Sequence, residues 1–287
     1  MRRVSDNVYA ECYFAGCNPS FLVTSEGVVM FDTPQQPIDA VRWRERLQEH
    51  GPIRYLINTE PHIDHISGNA YFPGVEVIGQ AGIQPRYEQS IPQMTGPERL
   101  DLLKQNDPDS VWLFNHPDYP PNPPTRTFGD ALTLRLGNHT IECTHLPGHT
   151  APQTAIYLPE EGVLITGDNI FQRTKTWLQE CDPWEWLDAL RTIETYDTAA
   201  IIPGHGEVCD YRYVQEQRQV VQDWIGAVED FVRRGLSEEE ALQQPAPAAD
   251  PYPLGQRLHH LTDRVNAMNV SNLYKRIVAR QQSGQSN

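Results

Sequence analysis

Arg54-Tyr55-Leu56-Ile57-Asn58-Thr59-Glu60-Pro61-His62-Ile63-Asp64-His65 passes directly from an apolar strand into a run of polar side chains. Arg54–Asn58 has the composition of a short buried strand. Glu60, His62, Asp64 and His65 then place four potential metal ligands within one short loop. On extended backbone, side chains 60 and 62 share a direction, and Asp64 and His65 follow on the turn. Such a loop can feed two neighbouring metal ions.

Three further candidates lie downstream, each behind a glycine: His149 in Leu146-Pro147-Gly148-His149-Thr150, Asp168 in Thr166-Gly167-Asp168-Asn169, and His205 in Pro203-Gly204-His205-Gly206. Strands are predicted at 20–24, 28–31, 75–78, 131–136, 140–145, 154–158, 163–166 and 199–202, so each of these residues follows a strand. The glycines are expected to let the backbone turn sharply into a cleft. Packing alone does not explain apolar strands that each end in His or Asp.

Helical patterns cover 39–49, 211–244 and 255–282, with a Pro/Ala hinge at 245–253. Asp182-Pro183-Trp184-Glu185 reads as a capped helix start. Glu238-Glu239-Glu240 after Ser237 reads as a solvated one. Within 84–128 only 97–105 reads as helix. The proline-dense Asn115–Pro124 is expected to be irregular, and the excursion is a candidate lid.

Of 287 residues, 23 are Lys or Arg and 38 Asp or Glu, a net charge of −15. With no basic run, this argues against nucleic-acid or anionic-membrane partners. The 39% hydrophobic content supports a globular core. No apolar leader follows Met1-Arg2-Arg3 and no long apolar run occurs, which predicts neither secretion signal nor membrane span. Cys12, Cys17, Cys143, Cys181 and Cys209 are odd in number and contain no C-x-x-C, as expected of reduced thiols in a cytoplasmic protein.

The motifs resemble those of the metallo-β-lactamase fold superfamily, H-x-H-x-D-H followed by a lone His, a lone Asp and a final His. Order and spacing match over about residues 7–210. The resemblance implies an α/β (α+β) fold, a four-layer αβ/βα sandwich with a catalytic domain over 1–210 and a C-terminal helical segment over 211–287. It implies a dinuclear metal cleft at one sandwich edge, with Glu60, His62 and His149 at the first metal, Asp64, His65 and His205 at the second, and Asp168 bridging. Asp32 in Phe31-Asp32-Thr33-Pro34 matches a supporting residue that commonly ends an early strand there.

This chain departs from the pattern at one position, Glu60, where the first His is expected. Three outcomes follow: Glu60 ligates, or it stays off and leaves only the second metal well bound, or it acts as acid/base beside a single metal. A carboxylate makes the first metal a weaker Lewis acid and leaves Zn, Fe and Mn all eligible, one or two per chain. The implied activity is a metal-dependent hydrolase acting on a small molecule, whether thioester, lactone, ester, amide or aryl halide. Asp64 and Glu60 are the candidate proton-transfer residues. The alternatives are an iron-dependent redox or oxygen enzyme and an inactive scaffold that binds a partner.

Arg173, Lys175 and Trp177 follow Asp168 and are candidate substrate contacts, as is His116 if the excursion closes over the cleft. His145 is read as packed or supporting, at most one of Trp184 and Trp186 as facing the cleft, and His259 and His260 as surface residues. The last helix is a candidate homodimer surface.

Overall fold

The computed structural model describes residues 1–247, 250, 252–254 and 256–284. Parts of the 245–253 hinge, residue 255, and residues 285–287 therefore lie outside the described residues; the helix expected from 255 opens as a 3-10 helix, Gln256–Leu261, and is α-helical only from Thr262.

Seven strands form the first sheet in chain order: β1 (Arg2–Arg3), β2 (Val8–Ala10), β3 (Ser20–Thr24), β4 (Gly27–Phe31), β5 (Ile53–Ile57), β6 (Glu76–Gln80) and β7 (Arg126–Phe128). The second sheet runs β12 (Ala200–His205), β11 (Val163–Phe171), β10 (Thr154–Leu158), β9 (His139–His145), β8 (Ala131–Leu136). Alternation along β4 shows the layering. Val29 and Phe31 face the second sheet, where they meet Ile141, Ile156 and Ile165. Val28 and Met30 point the other way, onto Trp43 and Leu47 of α1 (Pro37–Gln48). The outer face of the second sheet is covered by α5 (Pro183–Ile193), α6 (Tyr211–Arg233) and α8 (Thr262–Gln282), through Trp186, Leu190, Val221, Trp224 and Leu273. Central strands with both faces buried read as continuous apolar runs. This is the expected four-layer sandwich.

Three expectations need correction. Residues 84–95 are not irregular: they lie in α3 (Ile83–Thr95), which precedes α4 (Pro97–Asn106). Pro85 sits in the first turn, where its missing N–H is harmless, and Pro92 is held inside the helix although it cannot donate. Burial of Ile83 and Tyr87 overrides the propensity penalty. The helix expected over 211–244 breaks after Arg233 at Gly235, φ +77°, and resumes as α7 (Glu238–Ala241) behind a Ser237/Glu240 capping box. Strand β11 does not stop at Thr166. Gly167, at φ +50°, makes a bulge, and the strand continues to Phe171.

All five cysteines are unpaired. No helix among the described residues is long and apolar enough to cross a membrane.

Candidate metal centre

The ends of β5, β9 and β12 and the bulge in β11 converge at one edge of the sandwich. Thr59 leaves β5 anchored to Asp32, which accepts from the Thr59 N–H at 2.7 Å and hydroxyl at 2.6 Å. His62 and the one-turn helix α2 (Ile63–Ile66) then present His62, Asp64 and His65. The glycines act differently from one another. Gly167 has the positive φ that turns Asp168 inward, whereas at Gly204 a Cβ would overlap Asp168 Oδ1, so glycine there permits close approach.

All seven sequence-predicted ligands meet. His149 Nε2 lies 3.1 Å from His62 Nδ1 and 3.6 Å from Asp168 Oδ2. Glu60 Oε1 lies 2.9 Å from His62 Nδ1 and 3.2 Å from His65 Nε2. His65 Nε2 is 3.1 Å from Asp168 Oδ1. His205 Nε2 is 3.3 Å from both Asp64 Oδ2 and Asp168 Oδ2. Among the described residues three groups could hold a metal ion: Glu60-His62-His149-Asp168, Asp64-His65-His205, and Cys17-Asp32-His65, which shares His65 with the second. Glu60 is fully buried, whereas the Asp64 side chain is 26% exposed at the mouth.

The inward atoms are presented by outward hydrogen bonds. His65 Nδ1 meets Asp32 Oδ2 at 2.9 Å, so Asp32 has its expected supporting place. His149 Nδ1 donates to the Trp177 carbonyl at 2.9 Å, and the His149 backbone N–H donates to Asn169 Oδ1. His62 Nε2 ion-pairs with Glu180 at 3.2 Å, and Arg86 of α3 grips Glu180 through two bonds of 2.7 and 3.0 Å. Second partners of this kind fix the tautomer and aim of a ligating imidazole.

The donor set fits bound divalent metal. Glu60 Oε2 is buried with no polar partner, and His65 Nε2 and Asp168 Oδ1 face each other at 3.1 Å without an aligned hydrogen bond. Buried polar atoms left so poorly matched in one pocket are costly unless something binds them. Without a metal, protons substitute. Burial works against charge on His62, but Glu60 and Glu180 hold its pKa well above the ordinary value. His65 is likewise raised against its burial, by Cys17, Asp168, Glu60 and Asp32. Burial also opposes charge on His205, yet Asp168 and Asp64 carry it up to about 10. Burial would raise Asp64, but His65 and His205 pull it down to about 2. His149 is lowered by its burial.

The candidate substrate residues fare unevenly. Lys175 is 3% exposed, and its Nζ pairs with Asp250 at 3.1 Å over the Trp224 ring. It braces the C-terminal segment, which corrects its placement in the cleft. Trp177 serves the site through its carbonyl, with its ring packed on the helical layer. Arg173, at φ +51°, is exposed. His116 lines a separate cavity of about 220 Å³ with Tyr71, Tyr87, Phe114 and Tyr119. His145 donates toward the Ala151 carbonyl rather than any ligand. Trp186 packs edge-on against His149, while Trp184 lies under Arg280. Sequence reasoning missed Arg86, Asn169 and Glu180. The Gly167-Asp168-Asn169 neighbourhood pointed toward Asn169, and no local signal marked the other two.

The metallo-beta-lactamase superfamily profile matches residues 13–205. Among curated proteins, the chain is 21% identical over 257 residues to linear primary-alkylsulfatase of Pseudomonas sp., covering 76% of this chain and 48% of the sulfatase. It is 27% identical over 108 residues to atrochrysone carboxyl ACP thioesterase of Aspergillus fumigatus, covering 38% of this chain and 24% of the thioesterase. The chain thus spans about half or less of the length of these relatives. Among solved structures, the stereoselective inverting sec-alkylsulfatase of Pseudomonas sp. superposes with a TM-score of 0.68 at 17% identity, covering 96% of this chain and 49% of that one.

Proposed function

This chain belongs to the metallo-beta-lactamase superfamily, and from that premise we propose that it is a dinuclear zinc hydrolase of a small-molecule ester or thioester. Glu60, His62 and His149 would hold the first ion and Asp64, His65 and His205 the second, with Asp168 between them. One observation carries this reading: seven His, Asp and Glu side chains converge on one buried cluster in which Glu60 Oε2, His65 Nε2 and Asp168 Oδ1 lack an aligned hydrogen bond. Two divalent ions held by these residues would supply hydroxide near neutral pH and polarise the scissile bond.

The chain's own residues divide the remaining work. Glu60 is sealed from solvent and faces two imidazoles, which supports a ligand role over an acid/base role. Asp64 is part-exposed, so it can exchange a proton with incoming water and is the better proton-transfer group. The Arg86–Glu180 pair stands beside His62 and holds the ring on the first cluster. The ester class is favoured by the thioesterase match, and the alkylsulfatase match favours a second reading, a sulfate ester.

The test is metal content by plasma mass spectrometry on chelator-free protein, followed by a panel of acyl thioesters, carboxylate esters and alkyl sulfates. About two zinc per chain with turnover of one ester class is expected. Iron with visible absorption would favour redox chemistry instead. No bound metal after reconstitution would overturn the proposal.

A further inference from the structure

The irregular segment Thr176–Cys181 hands two groups to the first metal cluster: the Trp177 carbonyl to His149 Nδ1 and the Glu180 carboxylate to His62 Nε2. It belongs to neither strand nor helix, so its own backbone polar groups need partners from elsewhere. The last helix, α8, supplies them. Asn269 Oδ1 accepts from the Leu178 N–H at 2.7 Å, and Asn269 Nδ2 donates to the Thr176 carbonyl at 2.9 Å. Asn272 Nδ2 donates to the Leu178 carbonyl at 2.6 Å and the Cys181 carbonyl at 3.0 Å. Arg276 donates to the Glu180 carbonyl at 3.1 Å and to Asp182 at 2.9 Å.

Positions 269, 272 and 276 fall on one helical face. Asn269 is fully buried there, beside Val270 and Leu273. A buried amide amid an apolar helix face is unfavourable unless its donor and acceptor are both matched, and here both are matched by a single stretch of loop backbone. Nonspecific packing of α8 would not require that match. The Lys175–Asp250 pair and the bond from the Lys175 N–H to the Pro253 carbonyl tie the adjacent residues to the same C-terminal segment.

We propose that α8 is part of the metal-site machinery. Asn269 and Asn272 are positioning residues that set the aim of His149 and His62 by fixing the backbone of 176–181. The C-terminal helical segment is then required for the first metal site, beyond any role in stability or association. This rests on the dinuclear reading proposed above.

The test uses the full chain with Asn269→Ala and Asn272→Ala, and Glu238→Gln as a control. Glu238 holds α8 from another side, through Ser271 at 2.6 Å and Lys275 at 3.2 Å. Cobalt(II) or zinc titration with a competing chelator reads the two sites separately. Loss of about 10–100-fold in first-site affinity is expected for both Asn variants, with the second site unchanged. Glu238→Gln should leave both affinities unchanged, whatever its melting temperature. Wild-type metal affinity in folded Asn272→Ala, or equal weakening of both sites, overturns the inference. Asn272 is only part-buried, so its variant decides if Asn269→Ala does not fold. If the wild type takes up no metal, the dinuclear proposal fails, and the metal-free protein still decides whether Asn269 and Asn272 set the aim of His149. Nitrogen-15 histidine spectra should show His149 as the Nδ1–H tautomer in wild type and as a tautomer mixture in Asn272→Ala. An unchanged His149 signal overturns it.

Discussion

Asp32→Asn isolates how the second metal cluster is held. Asp32 is 3% exposed and accepts three hydrogen bonds, from the Thr59 N–H, the Thr59 hydroxyl and His65 Nδ1. Its φ is +53°, which asparagine adopts readily, so the backbone is not strained by the change. Asn Oδ1 keeps the bond from the Thr59 N–H, and the Thr59 hydroxyl can turn to accept from the new amide. His65 cannot be satisfied so simply. Its Nδ1–H would face an N–H donor, and the ring escapes only by moving the proton to Nε2, the atom that points at Glu60 and Asp168. The stability loss is one mispaired buried donor, about 1–3 kcal/mol. The larger effect falls on metal binding. A proton on the ligating nitrogen should weaken the second site about 10–100-fold, or about 1.4–2.8 kcal/mol. Competitive chelator titration of the folded variant measures this directly. Wild-type affinity in Asp32→Asn would refute the tautomer argument, and with it the assignment of His65 Nε2 as the ligating atom.

Glu60→Gln keeps the shape of the side chain and removes its charge; metal content should fall from about two per chain toward one, and two tightly held ions would show that the carboxylate is dispensable. Lys175→Ala leaves Asp250 buried without its cation and should destabilise the protein by about 3–5 kcal/mol with KM unchanged; a raised KM at unchanged stability would return Lys175 to the substrate. Metal removal should expose a pH dependence set by His205, raised to about 10 against its burial, and Asp64, lowered to about 2 against its burial. The histidine contribution is complete below the unfolded value of about 6.5 and is lost as pH rises through about 10; the aspartate contribution is complete above about 3.9 and is lost as pH falls through about 2. The chelated protein should therefore melt highest between about pH 4 and 6.5, whereas metal, which displaces those protons, should bind more tightly as pH rises. A melting temperature of the chelated protein that stays flat from pH 6 to 9 would count against this ionisation scheme.

The candidate ligands were legible in the sequence because each sits in a local pattern. The loop from Glu60 to His65 carries four in one turn, and His149, Asp168 and His205 each follow an apolar strand behind a glycine. Their outer partners were not legible in the same way. Glu180 meets His62 from far along the chain, and Arg86 lies on a helix whose prolines disguised it. Local propensity cannot register that Tyr87 and Ile83 are buried in α3, and this burial offsets the cost of Pro92. Lys175 shows the opposite error. A lysine just past Asp168 reads as a substrate contact, and only the fold brings Asp250 and Trp224 over it. Asp168 was expected at a strand end but lies inside β11, because a bulge at a positive-φ glycine is indistinguishable in sequence from a strand terminus.

The Glu60 substitution can be weighed by charge. Two divalent ions against the carboxylates of Glu60, Asp64 and Asp168 leave one surplus positive charge, where histidine at position 60 would leave two. In a pocket this enclosed the lower surplus eases the burial of the ions. It also weakens the pull on an anionic substrate, in a chain whose net charge of −15 already disfavours anion approach. Arg173, two residues past the end of β11, is exposed, whereas Arg86 is committed to Glu180 and Lys175 to Asp250. Substrate selection should therefore gain little from negative charge on the substrate. Measuring kcat/KM for matched neutral and anionic esters over a salt series separates the two: a neutral ester preferred with little salt dependence agrees with the balance at Glu60. A strong, salt-sensitive preference for the anion would mean that Glu60 does not neutralise the site.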